Sequence, residues 1–184
     1  GLLISAIRGE DPTLFVEHKL LYYAKRMPRL REPYPTLIGK VPEEPYVIPF
    51  GKAEIKRPGE DVTVVATMMM MHKALRVAED FSKKGISVEV VDPRTLVPLD
   101  RQAIIGSVKK TGKVVVASED ARTGGVAAEI AAVIMEEAFD YLDAPVRRVS
   151  ALDVPIPYAP VLESTVVPQE RHITEAVLDL VEPK

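Results

Sequence analysis

The sequence predicts an α/β protein built on a doubly wound, mainly parallel β-sheet. Apolar segments of strand length at 61–67, 86–92 and 113–118 alternate with amphipathic segments of helix length. Two of these helical segments end at a glycine, Gly85 and Gly112, which is a common way for a helix to stop. Strands that alternate with helices of this size are joined by right-handed crossovers, and such connections make neighbouring strands parallel.

The individual elements follow from hydrophobic periodicity and from turn residues. KAEIKR (52–57) alternates polar and apolar side chains, which indicates an antiparallel strand at the edge of the sheet. TLFVEH (13–18) has the composition of a buried strand. The other predicted strands are DVTVVAT (61–67), ISVEVVD (86–92), KVVVAS (113–118) and PVRRVS (145–150). The predicted helices lie at 1–8, 72–85, 101–112, 125–142 and 170–181.

Composition limits the classes of function. With 184 residues, 47% of them hydrophobic and 28% charged, the chain can bury a substantial core without disulfides. The net charge of −3 gives no electrostatic reason to expect nucleic acid, and the absence of cysteine excludes disulfide and thiolate chemistry. No apolar run reaches the length of a membrane span and no signal peptide is visible, which predicts a cytoplasmic protein of a bacterium or archaeon.

Sixteen prolines divide the chain unevenly. They cluster at 28–58 and 145–168, so we expect those regions to be mostly irregular or extended. The helical pattern at 1–8 begins without a capping residue, which predicts further structure before it in the natural protein.

The stretch SEDARTGGVAAEIA (118–131) places two glycines between a strand and a helix, where open α/β sheets bind their ligands. Glycines at a helix start can cradle a phosphate, but Gly124 and Gly125 lack the GxGxxG spacing and the GxxxxGK[ST] lysine. Glu119 and Asp120, just before them, would repel a phosphate. A structural turn is therefore favoured, and phosphate binding is the alternative.

The three histidines, His18, His72 and His172, lie far apart in the sequence, and none has a partner at metal-ligand spacing. Each is interpreted as a surface or interface residue rather than as a catalyst. Ser118 precedes Glu119, but no GxSxG elbow surrounds it, which argues against a serine hydrolase.

Two further features attract attention. Asp92 to Asp100, DPRTLVPLD, form a proline-stiffened loop in which Asp100 can cap the next helix. Arg94 is the only cation of that loop and could pair with Asp92 or with a carboxylate of another subunit.

An acidic run lies at the end of the long helix predicted at 125–142. Its members are Glu136, Glu137, Asp140 and Asp143, and they form either a solvated face or a docking patch for a basic partner.

Several stretches resemble one family of enzymes. They are GLLISAIR, FVEHKLLY, VPEEPYVIPFGKAEI, VVDPRTLVPLD, SVKKTGKVVV, TGGVAAEIAA, FDYLDAPVRRV and DVPIPYAP, in family order along nearly the whole chain. Together they resemble the β subunit of the thiamine-diphosphate-dependent first component of 2-oxo acid dehydrogenase complexes. That group includes the pyruvate, branched-chain 2-oxo acid and acetoin dehydrogenases.

The resemblance implies a division of the chain. Residues 1–24 resemble the end of a domain that binds the aminopyrimidine of the cofactor, and residues 25–50 form a linker. Residues 51–184 resemble the carboxy-terminal domain of transketolase. The family's activating glutamate and catalytic histidine belong to the missing part, so this chain alone is expected to be inactive.

The resemblance also implies partners and cofactors. Thiamine diphosphate and magnesium would be held by the α subunit in the full enzyme, not by this chain alone. The expected partners are that α subunit in an α2β2 tetramer, a second β subunit, and the binding domain of the dihydrolipoyl acyltransferase core. The acidic residues Glu136, Glu137, Asp140 and Asp143 are candidate groups for docking to that core.

A structural potassium site is carried over from the family in part. Carbonyl oxygens around an AIxDxN-like turn hold this ion in many relatives, and backbone carbonyls suit a hard cation. The corresponding positions here are Ala6, Ile7, Gly9 and Asp11. Gly9 stands at an aspartate-like position and Asp11 at an asparagine-like one, and one further ligand would come from the missing domain.

Two functions of different classes follow. The first is the carboxy-terminal part of a 2-oxo acid or acetoin dehydrogenase β subunit, serving subunit assembly and docking to the acyltransferase core. The second is a stand-alone, non-catalytic interaction domain with the same fold. A free phosphate-binding α/β enzyme is disfavoured because its motifs are incomplete.

Overall fold

The computed structural model describes residues 1–22 and 34–182. Its centre is a five-stranded sheet with the strand order β1-β3-β2-β4-β5. The strands are β1 (Glu54–Arg57), β2 (Val62–Ala66), β3 (Val88–Asp92), β4 (Val114–Ala121) and β5 (Arg147–Ala151). The α-helices are α1 (Leu2–Arg8), α2 (Lys19–Tyr22), α3 (Met68–Ser82), α4 (Arg101–Thr111), α5 (Val126–Ala138), α6 (Pro160–Val166) and α7 (Glu170–Val181). Short 3-10 turns lie at Pro35–Leu37 and Phe139–Tyr141.

The topology confirms the predicted doubly wound sheet. Strands β2, β3, β4 and β5 pair in parallel, whereas β1 pairs with β3 in the antiparallel direction at the edge. Helices α3 and α7 pack on one face of the sheet, and α4 and α5 pack on the other. The order of the strands reverses around β2, so β3 and β4 leave on opposite sides of it.

The core consists of two apolar layers, because successive strand side chains point to opposite faces. Val64 belongs to the layer under α3 and α7, and its neighbour Val65 belongs to the layer under α4 and α5. Both side chains are almost fully buried. Burying a valine fully stabilises a fold by about 1.5–3 kcal/mol, so these continuous valine runs account for the placement of β2 at the centre.

Local signals explain where the helices begin and end. The carboxylate of Asp100 accepts a hydrogen bond from the backbone N of Ala103 at 3.2 Å, which confirms the predicted cap of α4. Gly112 ends that helix in the left-handed region with φ of 65°. Helix α3 begins at Met68, four residues before the predicted start at 72. The methionines that follow Met68 are buried against the sheet, so the apolar run belongs to the helix.

The prediction of a buried strand at 13–18 is wrong. These residues form no strand, and Leu14, Phe15 and Val16 are 90%, 39% and 60% exposed. A strand needs a neighbour that satisfies its backbone groups, and no strand pairs with this segment in the described part of the chain. Apolar composition alone therefore could not make it a strand.

Two other differences concern the second half of the chain. Helix α6 lies within the proline-rich region at 145–168, which was expected to be mostly irregular or extended. Pro160 occupies the first turn of α6, where its missing N–H costs nothing, so proline starts this helix instead of preventing it. Strand β4 runs three residues past its predicted end at 118, as far as Ala121.

The remaining predictions concern segments that are partly outside the described residues. The linker at 25–50 includes residues beyond the described ranges, and its described part contains only the 3-10 turn at Pro35–Leu37 as regular structure. Among the described helices, none has both the length and the apolar character that crossing a membrane requires.

Candidate functional site

Three polar side chains meet at the carboxyl ends of β2 and β4, the edge at which open α/β sheets bind ligands. We call His18, Lys73 and Glu119 the carboxyl-edge cluster. His18 Nε2 lies 2.7 Å from Glu119 Oε2, and Lys73 Nζ lies 3.9 Å from Glu119 Oε1. Glu119 stands on the extension of β4, and Lys73 lies in the second turn of α3.

Lys73 is the most buried member of this cluster, with only 7% of its surface exposed. Its Nζ donates a hydrogen bond to the carbonyl O of Pro168 at 2.7 Å. Burial lowers the pKa of Lys73, because removing water disfavours the ammonium, while Glu119 and Glu170 oppose that change. The ammonium thus ties α3 to β4 and to the loop before α7.

The chemistry of the cluster is that of an ion pair between segments. His18 comes from the segment between α1 and α2, so its bond to Glu119 fastens this segment to the sheet. The hydroxyl of Ser118 donates a hydrogen bond to the carboxylate of Asp120 and lies 3.5 Å from that of Ser150, and no histidine contacts it among the described residues. This arrangement agrees with the interpretation of His18 as a surface or interface residue.

The other two histidines also have structural partners. His172 Nδ1 accepts a hydrogen bond from the backbone N of Gln169 at 2.9 Å and forms a reciprocal cap at the start of α7. His72 Nδ1 lies 2.8 Å from Thr36 Oγ1, which ties α3 to the 3-10 turn at Pro35–Leu37. Burial, followed by the positive charges of Lys56 and His18, lowers the pKa of His72 to about 4.

A carboxylate of the protein occupies the anion-binding position of the turn at Gly124 and Gly125. Gly124 has φ of 73°, a conformation that other residues adopt at a cost. The carboxylate of Asp120 accepts a hydrogen bond from the backbone N of Val126, at the very N-terminus of α5. The place where a phosphate would bind therefore already holds a negative group, which supports the structural interpretation of the turn.

The predicted potassium residues lie at the end of α1 and directly after it. Ala6 and Ile7 lie in α1, whereas Gly9 and Asp11 follow its end. The carbonyl O of Asp11 accepts a hydrogen bond from Thr13 Oγ1 at 3.2 Å. The described residues contain no group of three His, Cys, Asp or Glu side chains placed to hold a metal, and the carbonyl site stays a prediction.

The predicted docking residues lie together at the end of α5. Glu136, Glu137, Asp140 and Asp143 are all exposed, and Glu137 pairs with Arg101 at 2.7 Å. Asp143 lines an open apolar depression of about 760 Å³ that also exposes Met135 and Phe139.

The depression is the feature that sequence reasoning missed. Phe139 is 63% exposed and Met135 is 43% exposed, and three alanines of α5 form the floor between them. The signal was present in the sequence, because Ala128, Ala132, Met135 and Phe139 recur at helical spacing. The sequence predicted only a long helix here, whereas α5 has one apolar face buried in the core and a second that lines the depression.

Arg94 has a partner that the sequence did not suggest. Its guanidinium pairs with Glu54 on β1, and only its backbone N contacts Asp92, at 3.0 Å from Oδ1. Of the two partners considered for the Arg94 side chain, Asp92 is therefore wrong, and a carboxylate of another subunit stays a prediction. Antiparallel pairing places Glu54 opposite Asp92, and Arg94 at φ of 60° turns back across the edge strand.

These features define an α/β domain with a doubly wound sheet, a structural glycine turn and an open apolar depression on its surface. A family model for the C-terminal domain of transketolase matches residues 51–173. The chain belongs to the transketolase C-terminal domain family.

Curated relatives extend the similarity to almost the whole chain. The chain is 43% identical over 183 residues to the 2-oxoisovalerate dehydrogenase subunit beta of Bacillus subtilis strain 168, covering 99% of this chain and 52% of that protein. It is 41% identical to the acetoin:2,6-dichlorophenolindophenol oxidoreductase subunit beta of the same organism, covering 98% of this chain and 49% of that one. A mitochondrial pyruvate dehydrogenase E1 component subunit beta of Dictyostelium discoideum is 41% identical, with coverages of 96% and 47%. The chain thus spans about half the length of the curated relatives it matches.

One solved structure is similar at the level of both fold and sequence. It is a split gene transketolase described as an inactive beta4 tetramer, with a TM-score of 0.65 and 32% identity. The match covers 73% of this chain and 43% of that one.

Proposed function

We propose that this chain is the carboxy-terminal part of the β subunit of a thiamine-diphosphate-dependent 2-oxo acid or acetoin dehydrogenase. The relatives with these activities in their names match 96–99% of the chain at 41–43% identity, which supports the assignment. The parent enzyme would decarboxylate a 2-oxo acid or cleave acetoin and transfer the acyl group reductively to lipoamide. Within it, residues 1–24 would form the end of the preceding domain, and residues 51–184 would form the carboxy-terminal domain. Residues 25–50 would link these two domains.

The described residues do not suit the cofactor of that reaction. The glycine turn at the ligand edge carries the carboxylate of Asp120 where a diphosphate would bind. Thiamine diphosphate and its magnesium would therefore be held by the α subunit and by the part of the β subunit that this chain does not include. The chain itself would then serve the assembly of the subunits and docking to the acyltransferase core.

The observation that carries the docking role is the apolar depression beside α5. Solvent-exposed Phe139 and Met135 line this surface together with Asp143 and Arg148, and exposed Asp140 follows Phe139 in the chain, so one surface combines an apolar centre with charged side chains. Apolar centres with charged rims are typical of interfaces between proteins. We propose that this surface receives the basic binding domain of the acyltransferase core, and that other faces contact the α subunit and a second β subunit.

Neutralising the rim tests the docking role. We expect the double variant Asp140→Asn/Asp143→Asn to bind the isolated binding domain at least tenfold more weakly, because charge complementarity raises association rate and specificity. Surface plasmon resonance in low and physiological salt measures this loss. The matched control is Glu43→Gln/Glu44→Gln, which removes two exposed charges elsewhere. Unchanged affinity of the Asp140/Asp143 variant would end the docking proposal.

A stand-alone interaction domain is the alternative. Co-purification with an α subunit of a 2-oxo acid dehydrogenase separates the two functions. A stable complex favours the dehydrogenase subunit. Binding to other proteins without binding to the α subunit favours the stand-alone domain.

A further inference from the structure

A second, polar pocket lies on the other side of the molecule from the apolar depression. It has a volume of about 190 Å³ and is formed by β1, α3 and the 3-10 turn at Pro35–Leu37. The α3 residues that line it are His72, Leu75, Arg76 and Glu79. They stand at i, i+3, i+4 and i+7, so they share one face of the helix.

A β-bulge gives the pocket its positive charge. Ile55 pairs with Val91 and Arg57 pairs with Val90, so one additional residue, Lys56, is inserted into β1. Successive side chains of a regular strand point to opposite faces. The bulge breaks this alternation, and both Lys56 and Arg57 line the pocket.

The cations of the pocket differ in how well they are neutralised. Lys56 Nζ lies 2.5 Å from Glu54, and Arg76 Nε lies 3.8 Å from Glu170. Arg57 is half-buried and has no hydrogen-bond or ion-pair partner among residues 1–22 and 34–182. Its guanidinium carries five N–H donors, so an acceptor in the pocket would satisfy groups that the protein leaves without one.

The charge balance of the pocket and the neutral state of His72 both favour an anion. Three cations line the pocket against one carboxylate, Glu79. The hydrogen bond between His72 Nδ1 and Thr36 leaves Nε2 without a partner in the described part of the chain. His72 stays neutral at pH 7 because burial, and to a lesser extent the nearby charge of Lys56, lower its pKa to about 4.

We propose that this pocket binds a small oxyanion, a phosphate or a carboxylate, through the guanidinium of Arg57. Arginine binds both groups in a bidentate geometry, which lysine cannot reproduce. Pockets for drug-sized ligands have volumes of about 300 Å³ or more. This pocket is smaller, so a small anion fits and a nucleotide does not. The proposal is independent of the dehydrogenase assignment, because none of its residues belongs to the docking surface.

The test uses the whole chain and inorganic phosphate as the probe. Calorimetric titration at pH 7 and constant ionic strength should give saturable one-to-one binding, and malonate in place of phosphate separates a phosphate site from a carboxylate site. We expect Arg57→Gln to weaken binding at least tenfold. Arg57→Lys keeps the charge but loses the planar fork, so it should bind with intermediate affinity.

The matched control is Lys52→Gln, which removes one exposed positive charge near β1 without lining the pocket. It should bind phosphate as the wild type does. Absence of saturable binding by both phosphate and malonate would overturn the proposal. Equal weakening in Arg57→Gln and Lys52→Gln would also overturn it, because that result indicates general charge screening and not a site. Thermal unfolding of each variant shows whether a loss reflects unfolding.

Discussion

At the scale of single residues, Glu89, the second residue of β3, is a buried carboxylate with three hydrogen-bond donors. Its residue is only 2% exposed, and its carboxylate contacts the side chains of Ser107 and Lys110 and the backbone N of Gly59 at 3.1 Å. Burial alone would raise the pKa of Glu89, but the hydrogen bonds from Lys110, Ser107 and Gly59 outweigh it and lower the pKa. The sequence shows only a polar residue inside an apolar strand.

We expect Glu89→Gln to lower the free energy of unfolding by about 1–3 kcal/mol, because an amide cannot accept all three of these hydrogen bonds. Urea unfolding at pH 7 measures the change. Glu60→Gln is the matched control, since Glu60 is 71% exposed and only approaches Lys110, at 3.7 Å. A loss of equal size in both variants would contradict the role assigned to the buried carboxylate.

His72 makes stability depend on pH. Its pKa in the folded protein is about 4, below the 6.5 of an ordinary histidine, because it is buried and lies near Lys56. The contribution is fully present above pH 6.5 and is lost as the pH falls toward 4, since only the unfolded chain then takes up the proton readily. We expect stability to fall through this window in the wild type and less so in His72→Gln.

Nuclear magnetic resonance titration of the His72 ring measures this pKa directly. A midpoint near 4 agrees with a neutral, buried ring. A midpoint near 6.5 would show that the ring is solvated, and the pH dependence would then have another origin.

At the scale of elements, the glycine turn before α5 makes a prediction that can be tested with two alanines. A Cβ on Gly125 would overlap the carbonyl O of Ala121 and lie 2.6 Å from the Asp120 carboxylate. Gly125→Ala should therefore destabilise the fold by about 1–3 kcal/mol through overpacking.

Gly106 provides the opposite case. It lies in the middle of α4, and apart from the adjacent backbone of the helix no atom of the described residues lies within 4 Å of the position that a Cβ would occupy, so alanine meets no obstacle there. Gly106→Ala should raise the free energy of unfolding by about 0.5–1 kcal/mol, because glycine is the poorer helix former. Thermal or urea unfolding compares both variants, and equal effects would contradict the close packing inferred at Gly125.

The elements that the sequence predicted best are those whose signals are local and whose burial is complete. The start of α4 follows from the Asp100 cap, and α7 occupies the predicted range, 170–181. The segment at 13–18 could not be judged in this way, because a strand depends on a neighbour that lies elsewhere in the sequence. Helix α6 was missed because proline stops a helix in its interior but favours its first turn.

At the scale of the whole molecule, the acidic run was visible in the sequence but its apolar neighbours were not recognised. Which face of α5 is covered depends on α4 and the sheet, and that arrangement leaves Phe139 in solvent. The polar pocket could not be predicted from the sequence either, because it depends on a bulge that places Lys56 and Arg57 together against α3. Both surfaces depend on contacts between distant segments.

The central claim is the proposal that this chain is part of a thiamine-diphosphate enzyme yet does not itself bind the cofactor. Calorimetric titration of the chain with thiamine diphosphate and magnesium, alone and then with an α subunit, tests it most directly. We predict no saturable heat from the isolated chain. Saturable one-to-one binding by the chain alone would contradict the claim, and the turn around Asp120 and Gly125 and the pocket at Arg57 would then be the first sites to mutate.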